Sequence, residues 1–219
     1  MQFSFIFDMD GLILDTERIA RKVWPLVYNF ISRQEADNDY LQIVGKSNTA
    51  IITYLSNKYP QQPIQELNKH IDEEIVKYVS VHGAGIKNGV LTLLDFLDYH
   101  HIKKAVATSS HSDVATALLS KEKLLHRFDT IVCGNEVDKS KPSPDIFWES
   151  ARRIGMPPSC CYVCEDSYNG ILAAYSGGFI PIMIPDQIAP NKEMISKAFR
   201  IYSCISDIIP YLKETYHLF

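Results

Sequence analysis

The sequence predicts an α/β fold: a parallel sheet covered on both faces, interrupted once by an inserted all-helical domain. Three observations predict it. Short apolar runs rich in β-branched residues recur along the 219-residue chain, amphipathic stretches lie between them, and one gap between runs is far too long for a simple crossover. Strands that are apolar throughout, rather than alternating, suit a sheet with both faces buried, and regular alternation of strand with helix makes such a sheet parallel.

Taken in order, the strand candidates are "FSFIF" (3–7), "KKAVATS" (103–109), "FDTIVCG" (128–134), "CCYVCE" (160–165), "IPIMIP" (180–185) and a weaker "RIYSCI" (200–205). Helical patterns occupy 90–100, 113–125, 144–154 and 170–175. The long gap, from residue 17 to about 83, holds no good strand but does hold helical spacing. In "RIARKVWPLVYNFI" the residues Ile19, Val23, Leu26, Val27 and Phe30 share one side; in "IQELNKHIDEEIVKYV" Ile64, Leu67, Ile71, Ile75 and Val79 do the same. A βαβ crossover needs only about a dozen residues, so this segment is a unit of its own. Pro60 and Pro63 punctuate it and the glycines of "HGAGIKNG" close it. The expected organisation is a core of residues 1–15 and 84–219 and a helical cap of 16–83, joined by linkers near 14–16 and 83–85.

At 46% hydrophobic and 22% charged residues the chain can bury a sizeable core. A net charge of -4 with no basic stripe argues against nucleic acid and against an anionic membrane surface. The apolar N-terminal run reaches Asp8 with no basic lead-in, so it reads as a strand rather than a signal peptide, and no run approaches the ~18 apolar residues of a membrane span. Five cysteines, Cys133, Cys160, Cys161, Cys164 and Cys204, are too sparse for a disulfide scaffold. The C-x-x-C from Cys161 to Cys164 lies in a strand-like run, which favours buried thiols acting as small hydrophobes. The seven histidines form no pair at metal spacing. A monomer in a reducing cytoplasm is expected.

Four segments end or follow the strands with polar groups, and the carboxyl ends of parallel strands converge on one crevice. In "FDMDGLILDTE" Asp8 and Asp10 are two apart on an extended chain and face the same way; Gly11 permits a tight departure. Thr108-Ser109-Ser110 brings hydroxyls and backbone N–H groups to a helix start, suited to an anion. In "KSKPSPDIF" Lys141 precedes Pro142, and Ser143 and Pro144 are expected as N-cap and first helical residue. "CEDSYNG" adds Glu165 and Asp166. Each feature alone is an ordinary cap, turn or surface charge. Together they place four carboxylates in one crevice, where mutual repulsion would favour protonation unless a hard divalent cation such as Mg²⁺ intervenes.

The chain resembles the haloacid dehalogenase-like hydrolases, in particular the β-phosphoglucomutase-like phosphatases with a helical cap, over nearly its whole length. "FDMDGLILDTE", "VATSS", "KSKPSPDIF" and "CEDSYNGI" resemble that family's four motifs in order. The resemblance implies a Rossmann-like core and a small phosphorylated metabolite as substrate. It implies Asp8 as nucleophile, Asp10 as general acid and base, and Mg²⁺ held by Asp8, the Asp10 carbonyl and Asp166 with Glu165 in support. It also implies that Thr108, Ser109 and Lys141 neutralise the phosphoryl oxygens. Thr16, Lys46 and Asn48 are weaker candidates for substrate contact from the cap. Dehalogenation is disfavoured because Asp10 is present. "GKSNTA" (45–50) fails as a phosphate-binding loop because Tyr40 stands where its first glycine would be. Mutases of this branch carry a His at the position of Ala20 and an Arg at that of Asn48, so hydrolysis is favoured over mutation. An idle binding module is disfavoured by the intact Asp8, Asp10, Lys141 and Asp166.

Overall fold

The computed structural model describes residues 3–218 apart from 45 and 47. Six strands form one sheet: β1 (Ser4–Phe7), β2 (Lys104–Thr108), β3 (Thr130–Cys133), β4 (Cys161–Glu165), β5 (Ile180–Met183) and β6 (Arg200–Ile201). Their order is β3-β2-β1-β4-β5-β6 and every pairing is parallel. All the strands expected from sequence are therefore present, including the weak one at 200. The chain steps outward from β1 to one side, then returns to lay β4 against its other side. Ligand crevices open where strand order reverses in this way, at the carboxyl ends of the strands.

Both faces are covered. Phe5 and Phe7 stack at 5.6 Å between ring centroids on one face, and Ile6 points to the other, packed with Val163, Phe147 and Ile154. That alternation is the two-residue period of a strand. The helices outside the long insertion that bear on the argument are α5 (Val90–Tyr99), α6 (Ser112–Lys121), α7 (Asp145–Ile154) and α8 (Tyr168–Ser176); α9 (Lys192–Lys197) and α10 (Ile208–Tyr216) were not signalled by apolar spacing. The helix expected over 113–125 stops at Lys121, and Lys123 turns left-handed with φ 58°. Helix α7 starts one residue later than expected: Pro144, at ψ 2°, is the flanking residue, so Ser143 is not the N-cap, and its hydroxyl instead donates to Asp145. Cys161 and Cys164, three apart on a strand, face opposite sides of the sheet, and all five thiols are free. Cys133, Cys161 and Cys164 are buried as expected, but Cys160 and Cys204 are partly exposed.

Residues 16–82 form α1 (Thr16–Val27), α2 (Arg33–Ile43), α3 (Asn48–Lys58) and α4 (Ile64–His82), and among the described residues none joins the sheet. Helix α1 ends at Val27, earlier than its apolar pattern suggests. Leu26 is 68% exposed and Phe30 lies beyond the helix, while Trp24 takes the inner face and stacks on Tyr28 at 4.3 Å. Helix α4 buries Ile64, Ile71 and Val79 as expected. Helix α2 has little apolar spacing. Its start is marked by a capping box in which Ser32 and Glu35 each bond the other's backbone N–H. Buried Asp39 then accepts from Lys58 and Tyr59, tying α2 to α3. The two linkers pair with each other: Asp15 N–H donates to Gly85 O and Lys87 N–H to Ile13 O, both at 2.9 Å. No helix among the described residues is long and apolar enough to cross a membrane.

Candidate active site

The Asp8 N–H still donates to Cys164 O at 3.0 Å, so the carboxylate is aimed by the β1–β4 pairing itself. The chain then folds back at once, with the Ile13 and Leu14 N–H groups both bonded to Met9 O at 3.0 Å. Gly11, at φ 78°, makes this possible and leaves room: a Cβ there would stand 2.4 Å from Asp166 Oδ2. Glu165 ends β4 fully buried. Gly170 in α8 is needed beneath it, since a Cβ there would fall 1.8 Å from the Glu165 carboxyl carbon. Ser167, the N-cap of α8, donates to Glu165 Oε2 through both its N–H (3.1 Å) and its hydroxyl (2.8 Å).

Oxygens of Asp8, Glu165 and Asp166 lie within 4.8 Å of one another. Burial pushes the Asp8 carboxyl well above its ordinary range; Lys141 opposes this, and Glu165 and Asp10 add to it. The Asp166 carboxyl is raised for the same first reason, with Glu165 and Asp8 adding repulsion. Lys141 is itself buried, which favours the neutral amine, but Asp8 and Glu165 outweigh that and hold the ammonium charged. It donates to Asp8 Oδ1 at 2.5 Å, Glu165 Oε1 at 2.6 Å and Ala107 O at 3.0 Å, so all three of its protons are placed.

Asp10 stands apart from the three clustered carboxylates. Its Oδ1 accepts from the Thr16 hydroxyl at 2.8 Å, and its Oδ2 from Thr108 (3.0 Å) and Ser110 (2.9 Å). Thr108 thus serves Asp10 in this arrangement, and its oxygen also accepts the Ser110 N–H at 3.0 Å. Thr16 likewise reaches Asp10 rather than the far wall of the cleft. Ser109 is exposed in the cleft, with Gly134 packed against its carbonyl so closely that a Cβ on the glycine would lie 2.3 Å from it.

These groups floor a cleft of about 470 Å³ between the carboxyl ends of the strands and helices α1 to α4. A model of the family described as haloacid dehalogenase-like hydrolase matches residues 5–184. The chain belongs to that family. It is 35% identical over 182 residues, 80% of this chain and 92% of the relative, to the fructose-1-phosphate phosphatase YqaB of Escherichia coli. It is 30% identical, over 94% of this chain and 90% of the relative, to a probable pseudouridine-5′-phosphatase of Drosophila melanogaster. The crystal structure of a β-phosphoglucomutase from Clostridium difficile shares the fold at a TM-score of 0.79 and 23% identity, covering 99% of this chain and 98% of that one.

The helical side of the cleft presents Glu17, Tyr40, Lys46, Thr49 and Asp72. Of the cap residues expected there, Lys46 lines the cleft with its ammonium over the Tyr54 ring, while the Asn48 side chain lies outside the described residues. Sequence reasoning missed Glu17, Tyr40, Asp72, Ser167 and Gly170 as site residues. Ser167 was readable as the residue before a helix, with a small residue three places on; Glu17 and Tyr40 meet only through tertiary structure.

Proposed function

We propose that the chain is a Mg²⁺-dependent phosphatase that hydrolyses a small phosphorylated metabolite through an aspartyl-phosphate on Asp8. The observation that carries the reading is the pair of aspartates in two different settings, Asp8 in a crowded acidic cluster against Lys141 and Asp10 held apart by three hydroxyls. The donor set fits a hard divalent cation. Asp8, Glu165 and Asp166 offer only oxygen, converge within 4.8 Å, and in Asp8 and Asp166 carry carboxyls that burial disfavours as anions. Bound Mg²⁺ would relieve that repulsion and add positive charge beside the transferring phosphoryl group.

The remaining steps belong to the protein's own residues. Asp8 attacks phosphorus and the ester oxygen leaves with a proton from Asp10; Asp10 then takes a proton from the water that attacks the aspartyl-phosphate. The Lys141 ammonium stabilises charge on the equatorial oxygens, and Ser109 lies in the cleft where its backbone and hydroxyl can add to that. Helices α1 to α4 act as a cap that excludes water from the loaded site. The relatives named above, both phosphatases by name, support hydrolysis. So does Ala20 in the cleft wall, where the mutases carry an imidazole. The deciding experiment is a screen of phosphorylated sugars, nucleotides and related metabolites for phosphate release with Mg²⁺ against a chelator. Given β-glucose 1-phosphate with a trace of the 1,6-bisphosphate, the enzyme should release inorganic phosphate faster than it forms glucose 6-phosphate; the reverse would mean a mutase.

A further inference from the structure

The linker at 83–85 is held by a side chain of the core. Glu122, the half-buried residue that follows α6, reaches across to it. One carboxylate oxygen, Oε1, accepts both the Ala84 N–H at 2.5 Å and the Gly85 N–H at 3.1 Å. The neighbouring Lys121 donates to Ser80 O at 2.6 Å, so the end of α6 holds the end of α4 as well as the linker beyond it. The linker is built to turn: Gly83 and Gly85 sit at φ 80° and 78°, on either side of buried Ala84. Glycine passes between positive and negative φ at little cost, so a rotation of α4 against the core falls on these two residues. The fit is close, since a Cβ on Gly83 would lie 2.8 Å from the same Glu122 oxygen.

Gly85 is bound on both sides. Its N–H goes to Glu122 in the core, and its C=O accepts the Asp15 N–H of the first linker at 2.9 Å. Bonds from backbone N–H groups to a carboxylate are charge-assisted and stronger than the neutral pairs that join the two linkers. The carboxylate of Asp15 turns instead to Arg18 of α1, 2.8 Å away, and so stays with the helices. We infer that Glu122 is a positioning residue for the hinge: its carboxylate latches residues 84 and 85 to the core and so holds α1 to α4 over the cleft. Swinging these helices away must either release both N–H groups or drag the end of α6 along. Val114 and Leu118 of α6 line the same cleft as Ile71 and Ile75 of α4, so the cleft changes shape when the latch opens. The inference rests on the reading of α1 to α4 as a cap; Glu122 itself does not line the cleft.

The test pairs amide hydrogen exchange with steady-state kinetics on p-nitrophenyl phosphate and Mg²⁺, for Glu122→Ala and Glu122→Gln in the full chain. In Glu122→Ala the Ala84 and Gly85 amides should exchange at least about tenfold faster, while the Leu118 and Leu119 amides of α6 keep their wild-type rates. Glu122→Gln keeps an acceptor oxygen at the same reach without the charge, and should fall between. KM should rise about three- to tenfold in Glu122→Ala with kcat unchanged or higher, because less of the enzyme holds the cleft closed while its reacting groups are untouched. Should Glu122→Ala fail to fold, the same two amides in Glu122→Gln decide. Faster exchange throughout α6, or a fall in kcat at unchanged KM, would mean that Glu122 serves the fold alone. Linker amides that respond in neither variant would overturn the latch outright. A wild-type enzyme that releases no phosphate from the probe would count against the phosphatase reading, and the exchange rates would still decide the latch.

Discussion

The two walls of the cleft treat charge in opposite ways. On the sheet side, Asp8, Glu165 and Lys141 satisfy one another and Asp10 is held by three hydroxyls, every one of them on or next to a strand end or at the base of α1. On the helical side, Asp72 has no partner among the described residues and Glu17 has only Tyr40. The difference teaches where the work of each wall is done. Apart from Asp166, which no donor reaches among the described residues, the sheet side is organised before any ligand arrives, as chemistry requires. The helical side leaves acceptor capacity that the described residues do not use.

If that contrast is right, removing sheet-side groups should abolish chemistry, and removing helical-side groups should favour folding. The largest effect is expected for Asp8→Asn, which keeps volume and fold but removes the nucleophile. Phosphate release should fall by roughly 10⁴-fold or more, with an unchanged circular dichroism spectrum; near wild-type turnover would refute the covalent route.

Next is Gly170→Ala. One added methyl would collide with the Glu165 carboxyl carbon at 1.8 Å and force it off Lys141. Activity should drop by about 100-fold and stability by about 1–3 kcal/mol, the usual cost of overpacking. Urea denaturation alongside kinetics checks both, and an active, fully stable variant would show that Glu165 need not sit where it does. Asp166→Asn should cost about 10–100-fold at fixed Mg²⁺, by analogy with other weakened metal sites. Excess Mg²⁺ should restore part of that, as read by a Mg²⁺ titration; a loss that no amount of metal recovers would argue against Asp166 as a ligand.

How much of this was legible beforehand differs between the walls. The six strands were legible because each is a continuous apolar run, and the sheet-side residues followed because strand ends converge in parallel sheets. Helix α2 was not, since its inner face includes Asp39 and Tyr40, which spacing rules count as polar or ambiguous; α3 turns the apolar Leu55 inward but is only three turns long. Leu26 and Phe30 were placed on the wrong side because the helix ends at Val27 and the indole of Trp24 outcompetes them for the interior. Nothing in the order of residues announces that Tyr40 will reach Glu17, or that Asp72 will overlook Asp10. Those are facts about how four helices settle on a sheet.

The smallest expected effect tests the helical wall alone. The Asp72 carboxyl is pushed up to about 6, first by partial desolvation at the cleft wall and then by Asp10. Its folded-state pKa lies above the ordinary 3.8, so the folded form binds this proton more tightly than the unfolded form. The penalty is absent below 3.8, grows between 3.8 and about 6, and is fully present above that. Asp72→Asn should therefore raise Tm at pH 7 and lose that advantage as pH falls toward 4. The gain should be small, about 1–2 °C, because the side chain remains open to water in the cleft and the penalty is partly screened. A variant less stable than wild type at pH 7 would mean that Asp72 is held by the protein after all.

The pairing of β1 with β4 also has a consequence for synthesis. Ser4 and Cys161 are neighbours in the sheet, their side chains 3.2 Å apart, yet 157 positions separate them along the chain. At ribosomal speeds of about 5–20 residues per second, β1 waits on the order of ten to thirty seconds for that partner. Asp8 spends the same interval without Glu165, Asp166 or Lys141 beside it. The helices between, whose contacts are local, have time to form first. A nascent chain therefore carries Asp8 long before the groups that surround it in the folded cleft, and the site as a whole is assembled only when the central strands have closed.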